Sequence, residues 1–352
     1  MRKLRVLVVG CGNMGSSHAE AYEKHPGFEI CGLVSRGSSK DELLTRLQKH
    51  YPLFNNYAKA LIETQPHAVC INTYPDTHEE FCCQALQTGC HVFVEKPIAT
   101  TVEGGRRVWQ MAKSKKRKVV IGYILRHHTV WQQFVSAAKK LGKPLVMRMN
   151  LNQQSSGQMW TVHKNLMQSL SPIVDCGVHY LDVMCQMTAS RPVSVTAIGA
   201  RLTHAIPEDQ YNYGQLQIRF DDGSVGWYEA GWGPMMSENA YFIKDVIGPQ
   251  GAVSLKQEEK ASDDVDGHTQ TDTMRIHHAA IDENNQFVQK DTLKTFSKSP
   301  SHQDLCYAEQ DFFFNAIQND FDLEQHIEDA IHSLQIALAC DEAVKTGKNV
   351  LL

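Results

Sequence analysis

The fold is decided by Leu4–Val9 and by Gly10-Cys11-Gly12-Asn13-Met14-Gly15, which follows it without a break. The apolar run predicts a buried strand, and the residues after the glycines predict a helix that ends at Pro26-Gly27. Between a strand and a helix, the three glycines have separate roles: a tight turn, close approach of the backbone to a pyrophosphate, and close packing of the helix on the strand. We therefore predict a cofactor-binding turn made of Gly10, Gly12, Asn13, Met14 and Gly15.

The alternation of apolar runs with helical patterns continues for the first third of the chain. Further strands are predicted at 28–34, from 53, and at 68–73, 91–94 and 119–122, with helices at 41–50, 57–63, 77–88 and 102–114. Such alternation predicts parallel β-α-β units with helices on both faces of the sheet. Six parallel strands are typical of a doubly wound Rossmann sheet. We therefore predict an α/β dinucleotide-binding domain over residues 1–123.

After residue 123 the pattern changes to hairpin signals. Extended segments are predicted at 213–220, 223–228, 241–247, 252–256, 274–281 and 286–290, and helices at 130–141, 172–187, 304–317 and 325–346. Polar turns separate the paired segments, such as Gly248-Pro249-Gln250-Gly251. The polar stretch 257–273 predicts an exposed loop. Residues 124–352 are therefore predicted to form an α+β domain with a large, mostly antiparallel sheet.

Composition limits the classes of partner. The 352 residues carry a net charge of −4, with 42% hydrophobic and 21% charged residues, which is ordinary for a globular protein. This balance argues against a nucleic acid or an anionic membrane as the main partner. No apolar run reaches the roughly 20 residues of a membrane span. The ten cysteines contain no C-x-x-C pair and fit a reducing compartment. We expect a cytoplasmic protein.

The end of the second strand predicts which nicotinamide cofactor is used. NAD-specific sites usually place a carboxylate there, to bind the ribose 2′-hydroxyl. The sequence Val34-Ser35-Arg36-Gly37-Ser38-Ser39-Lys40 has none. A guanidinium group with nearby hydroxyls suits a 2′-phosphate, so Ser35, Arg36 and Ser38 favour NADP over NAD. The alternative is that Arg36 stacks on the adenine and accepts either cofactor.

Two later strand ends are predicted to lie at the same edge of the sheet as the glycine turn and to contact the same cofactor. The reason is that ligands of open α/β sheets bind outside the carboxyl ends of the strands. The first is 72–78 and the second is Glu95-Lys96-Pro97. Lys96 is predicted to lie near the nicotinamide. The further cofactor contacts predicted from these two segments are Thr73, Tyr74, Pro75, His78, Glu95 and Lys96.

The predicted helix at 172–187 carries a second group of polar residues. Ser171 is suited to the N-cap, and Asp175 and His179 share one helix face at a spacing of four residues. An Asp beside a His can orient the ring and stabilise its charged form, as a general base requires. The alternative is a buried, satisfied pair or a solvated helix face.

With these residues in place, the chain resembles the Gfo/Idh/MocA family, the group of glucose–fructose oxidoreductase and inositol dehydrogenase. The resemblance runs nearly end to end. It rests on the segments 10–15, 95–97, 122–126, 175–182 and 343–352. It implies a Rossmann domain followed by a domain whose open sheet lines the substrate site and often mediates oligomers. We therefore expect a homo-oligomer, either a dimer or a tetramer.

The resemblance also implies roles for individual residues. Lys96 would contact the nicotinamide ribose and the reacting oxygen, His179 would take the hydroxyl proton, and Asp175 would orient the site. Family members often have glycines just before the Asp, whereas this chain has Gln168-Ser169-Leu170-Ser171-Pro172. That departure puts the usual set of substrates in doubt.

A sugar or polyol is the expected substrate, because hydrogen-bonding groups and aromatic faces occur together. The candidate substrate residues are Tyr123, Arg126, Trp160, His163 and Tyr180. His127, His128 and His163 lack the spacing of metal ligands, and we expect no metal site. Arg126 has an alternative role in a salt bridge between domains.

Three classes of function remain. The first is a dehydrogenase or reductase acting on CH–OH groups. The second is a non-catalytic dinucleotide- or ligand-binding regulator on the same scaffold. The third is an NAD-dependent glycosidase. The retention of Lys96 and His179 favours the first class.

Overall fold

The computed structural model describes residues 3–237, 243–256, 271, 273–296 and 299–352. By compactness, the chain divides into a first unit, Met1–His127 with Ser301–Ile331, and a second unit, His128–Pro300 with His332–Leu352. The predicted division at residue 123 assigned everything after it to the second domain. In the structure, the segment Ser301–Ile331 returns to the first unit.

In the described part of the chain, the sheet of the first unit has six strands. They are β1 Leu4–Val9, β2 Phe28–Val34, β3 Leu53–Phe54, β4 Ala68–Ile71, β5 His91–Glu95 and β6 Val119–Gly122. Their spatial order is β3-β2-β1-β4-β5-β6, and every neighbouring pair is parallel. This is the strand order of a Rossmann sheet, which reverses between β1 and β4 and so confirms the predicted class.

Ten α-helices occur in the residues that the structure describes. They are α1 Asn13–Lys24, α2 Ser39–Leu47, α3 Tyr57–Thr64, α4 His78–Gln87, α5 Val102–Lys115, α6 Thr129–Ala138, α7 Gly157–Leu166, α8 Val178–Thr188, α9 His302–Gln318 and α10 Glu324–Thr346. The helix α9 begins with a capping box, in which Ser301 and Asp304 each bond the other's backbone N–H.

The helix α9 belongs to the first unit because its apolar face completes that unit's core. Phe313 and Ala316 lie in one buried cluster with Tyr22, Phe28 and Phe93. The rings of Phe28 and Phe313 are stacked, with their centroids 6.0 Å apart. Each such side chain contributes about 1.5–3 kcal/mol when it is fully buried. The first unit therefore depends on a segment that lies far away in the sequence.

The second unit contains nine described strands in one sheet. They are β7 Val146–Gln154, β8 Pro192–Ala200, β9 Tyr213–Phe220, β10 Val225–Gly233, β11 Lys244–Gly248, β12 Gly251–Lys256, β13 Thr273–His278, β14 Thr292–Thr295 and β15 Val350–Leu351. Their order is β14-β13-β12-β11-β7-β10-β9-β8-β15. The pair β7–β10 is parallel and the other pairs are antiparallel, which confirms a large, mostly antiparallel sheet.

Two details of the prediction for the second unit are wrong or incomplete. The predicted strand at 286–290 forms only a single bridge, between Phe287 and Ile281, and the partner of β13 is β14. Phe287 and Val288 are 63% and 66% exposed, so no layer buries the apolar residues that suggested a strand. No strand or helix was predicted at the positions of β7, α7 and β8. The predicted loop at 257–273 falls almost entirely outside the described residues.

The structure gives two further facts about the chain as a whole. All ten cysteines lie in the described part and are free thiols. Among the described helices, none combines the length and the apolar character that crossing a bilayer requires.

Candidate functional site

The glycine turn joins β1 to α1, and its backbone fits the three predicted roles. Gly10 has a φ of +84°, and a Cβ there would lie 2.5 Å from the carbonyl oxygen of Asn72. A Cβ on Gly15 would lie 1.8 Å from the carbonyl oxygen of Gly10. A Cβ on Gly12, by contrast, would meet nothing within 4 Å. The first and third glycines are therefore required by packing, whereas the second keeps a space open.

The space at Gly12 lies at the N-terminus of α1. Gly12 is the N-cap residue and the helix begins at Asn13, which is exposed. The first N–H groups of a helix have no acceptor within the helix, and the positive end of its dipole lies there. The geometry of this end suits an anionic group such as a pyrophosphate.

The end of β2 carries the predicted ribose-reading residues. The hydroxyl groups of Ser35 and Ser39 are 2.8 Å apart, and Ser38 donates a hydrogen bond of 2.9 Å to Glu42. Arg36 is exposed between them. Lys40 donates to the carbonyl oxygen of Gly37 at 2.7 Å. This loop therefore presents one exposed guanidinium group at the strand end.

His78 lies between the segments that follow β4 and β5. The ring is fully buried, and its two nitrogens lie 2.9 Å from the carbonyl oxygen of Thr73 and 2.7 Å from that of Pro97. Burial lowers the pKa of His78, which favours the neutral ring. Beside it, Tyr74 is 67% exposed, and Pro75 begins a short 3-10 turn. Of these predicted contacts, Tyr74 offers surface to a ligand, while the neutral ring of His78, with its single N–H, donates to one of the two carbonyl oxygens.

Glu95 and Lys96 end β5 with different exposures. The Glu95 carboxylate is buried, with one oxygen 2.8 Å from Nε2 of His18. Its other oxygen accepts the backbone N–H of Lys96 at 3.3 Å. Lys96 itself is half-buried. The carboxylate therefore anchors the peptide that carries the lysine.

Asp175 lies on a wider turn than predicted, and His179 follows that turn in α8. Ile173–Gly177 forms a π-helix, and α8 begins only at Val178. The predicted continuous α-helix from residue 172 is wrong at this point. Single π turns inside α-helices occur frequently at functional sites. Asp175 and His179 are both half-buried.

The hydrogen bond expected of Ser171 as a helix-capping residue is present in this segment. The Ser171 hydroxyl accepts the N–H of Val174 at 3.1 Å, as a capping residue does. Gly177 allows close approach of a strand, because a Cβ there would lie 2.9 Å from the ring of Tyr228 on β10. The same Ser171 hydroxyl donates to Asp341 at 2.7 Å, which fixes the start of the π turn.

An aromatic surface adjoins Asp175 in the second unit. His163 is stacked on Trp232, with centroids 4.3 Å apart and planes 7° apart. Burial lowers the pKa of His163 to about 4, and the charge of Asp175 acts in the opposite direction. Trp232 donates its indole N–H to Gln153 at 2.7 Å. The half-buried Trp160 packs on the same apolar cluster. Sequence reasoning found Trp160 and His163 but missed Gln153 and Trp232.

Lys244 is a buried base that the sequence analysis did not identify. Its ammonium group donates to the carbonyl oxygen of Asn150 and lies 4.8 Å from the ring centroid of Tyr180. Burial lowers the pKa of Lys244 to about 7. Tyr180, a predicted substrate residue, is fully buried and stacks on Tyr228 at 5.2 Å. Lys244 begins β11 two residues before the buried Val246, and this spacing of two, which puts both side chains on the same face of a strand, was the signal in the sequence.

Tyr123 and Arg126 interact within the first unit. Tyr123 is buried, and the guanidinium carbon of Arg126 lies 4.9 Å from its ring centroid. Arg126 also donates to the carbonyl oxygen of His326 at 2.9 Å. Of the five predicted substrate residues, Arg126 and Trp160 are the two that are only half-buried.

Comparison with known families assigns both parts of the chain. Residues 4–123 match the oxidoreductase family with an NAD-binding Rossmann fold. Residues 137–352 match the C-terminal alpha/beta domain of the same oxidoreductase family. The chain belongs to the Gfo/Idh/MocA family.

The chain is similar to several named dehydrogenases. It is 25% identical over 213 residues to an inositol 2-dehydrogenase/D-chiro-inositol 3-dehydrogenase of Shouchella clausii. The matched region covers 59% of this chain and 60% of that protein. The chain is 25% identical over 273 residues to a D-glucoside 3-dehydrogenase of Escherichia coli, 72% of this chain and 77% of that protein. The chain therefore spans about three fifths of the length of the first relative.

Solved structures show the same fold over the whole chain. An oxidoreductase from Agrobacterium radiobacter in complex with NAD+, L-tartaric acid and magnesium has a TM-score of 0.80 at 14% identity, covering 99% of this chain and 98% of that one. The scyllo-inositol dehydrogenase of Lactobacillus casei, with bound NAD(H) and scyllo-inositol, has a TM-score of 0.78 at 19% identity and 99% coverage of both chains. At these identities the likeness establishes the fold alone.

Proposed function

We propose that the chain is an NAD(P)-dependent oxidoreductase that acts on a hydroxyl or carbonyl carbon of a sugar, a polyol or a related small molecule. The observation that carries the proposal is the open space at Gly12, at the N-terminus of α1 and at the switch point of the Rossmann sheet. Ligands of such sheets bind at that switch point. The names of the relatives, which are inositol and D-glucoside dehydrogenases, support the substrate class.

The residues of the first unit would hold the dinucleotide. The glycine turn and the N-terminus of α1 suit its pyrophosphate. Arg36 is placed at the end of β2 for a ribose phosphate, which favours NADP. When bound, the nicotinamide ring would supply the hydride chemistry.

The protein's own part in the reaction is placement and proton transfer. The proposal assigns the substrate proton to the ring of His179, oriented through Asp175, because an imidazole nitrogen can act as a general base. It assigns the Lys96 ammonium to the reacting oxygen, where a fixed positive charge stabilises an alkoxide. Both assignments come from the family resemblance.

We also propose a homo-oligomer, a dimer or a tetramer, formed through the exposed face of the second sheet. Val146, Val225 and Ile247 are exposed on the strands of that sheet. We propose the cytoplasm as its location, because ten free thiols persist in a reducing compartment.

A screen of sugars and polyols with both cofactors tests the proposal directly. We expect reduced-nicotinamide absorbance to appear with at least one cyclic polyol or sugar. Dinucleotide binding without turnover on any compound would instead indicate a regulator. Cleavage of a glycoside with tightly retained cofactor and no net reduction would indicate a glycosidase. Either outcome would overturn the proposed dehydrogenase.

Arg36→Asp should shift the preference between cofactors. Loss of charged hydrogen bonds to a 2′-phosphate costs about 1.5–3 kcal/mol. That loss corresponds to roughly a 10- to 100-fold fall in kcat/KM for NADP, with NAD affected little. The control is Arg46→Asp, the same change at an exposed position of α2. An NADP/NAD ratio that does not differ between the two variants would show that Arg36 does not read the phosphate.

A further inference from the structure

A chain of buried hydrogen bonds runs through the first unit to Glu95. The hydroxyl group of Tyr22 lies 2.5 Å from Oε1 of Gln310, and Nε2 of Gln310 lies 2.9 Å from Nδ1 of His18. Nε2 of His18 lies 2.8 Å from Oε1 of Glu95. All four side chains are buried. They join α1, α9 and the end of β5, which carries Lys96.

The direction of each bond follows from the groups present. The amide nitrogen of Gln310 can only donate, so Nδ1 of His18 accepts. The proton of the neutral ring is then on Nε2, which donates to the Glu95 carboxylate. Burial raises the pKa of Tyr22 and keeps its hydroxyl group a donor. Each side chain in this series of hydrogen bonds therefore has a consistent role as donor or acceptor, as buried polar networks require.

The surroundings of His18 and Glu95 leave them little freedom. The ring of His18 packs edge-on against Phe93, with centroids 4.8 Å apart. A Cβ on Gly122, at the end of β6, would lie 3.1 Å from Oε1 of Glu95. The Glu95 carboxylate is therefore held in one position between the His18 ring and β6. The backbone N–H of Lys96, which donates a hydrogen bond to that carboxylate, is held with it.

The same region contains a group that resembles a cation site by composition. His18, Cys306 and Glu309 are buried and offer ligand atoms within 4.8 Å of one another. However, both ring nitrogens of His18 are engaged, one by Glu95 and one by Gln310. A metal ion would need one of those nitrogens as a ligand. The geometry therefore favours a hydrogen-bonded role for His18.

We propose that His18 is a positioning residue for the reaction: backed by Gln310 and Tyr22, it fixes the Glu95 carboxylate and, through it, the backbone of Lys96. The proposal rests on the proposed role of Lys96 in catalysis. It makes α9, which begins after residue 301, a functional part of the dinucleotide-binding unit. Small misplacements of a catalytic group can lower the rate up to about 100-fold, so such support has a measurable effect.

Two polar substitutions at His18 separate positioning from mere packing. In His18→Gln, the amide nitrogen of glutamine can lie where Nε2 of histidine lies, so it can still donate a hydrogen bond to Glu95. His18→Asn keeps a polar atom near Nδ1 but is too short to reach Glu95. We expect His18→Asn to lower kcat by about 10- to 100-fold with little change in KM, and His18→Gln to retain activity within a few-fold. Equal kcat values for the two variants would overturn the proposal.

A second pair of variants keeps the test decisive if His18→Asn does not fold. Gln310→Leu removes the donor to Nδ1 and should lower kcat in the same direction. Gln303→Leu is the matched control on the same helix, because Gln303 donates to the backbone oxygen of Ser17 at 2.9 Å and has no link to Glu95. Equal loss of kcat in Gln310→Leu and Gln303→Leu would contradict the proposal.

Hydrogen exchange provides a readout that does not depend on the proposed reaction. In His18→Asn and Gln310→Leu, amides of the segment 91–99 should exchange faster than in the wild type, because the Glu95 anchor of the Lys96 N–H is loosened. In His18→Gln and Gln303→Leu they should exchange at the wild-type rate. If the wild type oxidises no compound, the proposed function fails, and the exchange rates still decide the role of His18. Wild-type exchange rates of these amides in all four variants would overturn the proposed positioning role of His18.

Discussion

Replacing Lys96 or His179 with alanine should each lower turnover by at least ~100-fold, the lower range for a positioned acid–base group. The first change removes the fixed positive charge assigned to the reacting oxygen, and the second removes the acceptor of the hydroxyl proton. We expect dinucleotide affinity to change much less than kcat in His179→Ala. Steady-state kinetics with the best compound from the screen, together with the dissociation constant for the dinucleotide, measures both effects.

The controls for these changes are Lys115→Ala and His204→Ala, the same substitutions at exposed positions. Both should retain wild-type turnover. If Lys96→Ala and His179→Ala also remain near wild-type activity, the proposed proton transfer is wrong, even if the chain reduces a nicotinamide cofactor.

Gly15→Ala should destabilise the protein by about 3 kcal/mol or more, at the upper end of the cost of overpacking. The added Cβ would lie 1.8 Å from the carbonyl oxygen of Gly10, and a backbone atom cannot move aside as a flexible side chain can. Gly12→Ala places its Cβ in open space, so its free energy of unfolding should fall by only about 1 kcal/mol, the cost of an alanine at an N-cap. Its dinucleotide affinity should nevertheless fall by about tenfold or more, because the Cβ occupies the approach of the pyrophosphate.

Gly37→Ala is the matched control, since Gly37 is exposed and a Cβ there would also meet nothing within 4 Å. Denaturant unfolding and dinucleotide titration of the three variants separate packing from ligand approach. Equal affinity in Gly12→Ala and Gly37→Ala would mean that the space at Gly12 does not serve a pyrophosphate.

The first unit was largely predictable because its signals are local. Each strand of the Rossmann sheet is a short apolar run, and a helical pattern with a turn follows it. The six predicted strands all occur, with ends that shift by two residues at most. The predicted helix at 304–317 occurs as α9, but its place in the first unit was not predicted. Its place in the first unit depends on contacts such as Phe28 with Phe313, which join residues far apart in the sequence.

The second unit was less predictable because its strands are half-buried and irregular. β7 alternates Met and Leu with Arg and Asn, which is a strand pattern that was overlooked, whereas β8 contains glycine and alanine and forms no strong apolar run. The π turn at Ile173–Gly177 was also missed. A π turn differs from an α turn by one residue of hydrogen-bond spacing, and no residue type marks it. The candidate residues Asp175 and His179 were nevertheless found from their chemistry and the family resemblance.

His18 could have been found from the sequence only in part. It lies three residues after Gly15, on the helix that packs against the strand, so burial was foreseeable. A buried histidine needs partners for its ring nitrogens. One partner, Gln310, lies almost 300 residues away, and no local pattern indicates which distant residue supplies the bond.

The position of α9 has a consequence for synthesis on the ribosome. The dinucleotide-binding unit begins with the first strand of the chain, but its core is completed only after eight of the nine strands of the second sheet have been translated. Until then, Tyr22, Phe28 and Phe93 lack the aromatic layer that α9 supplies. A nascent chain in that state exposes apolar surface, which is the kind of surface that chaperones bind.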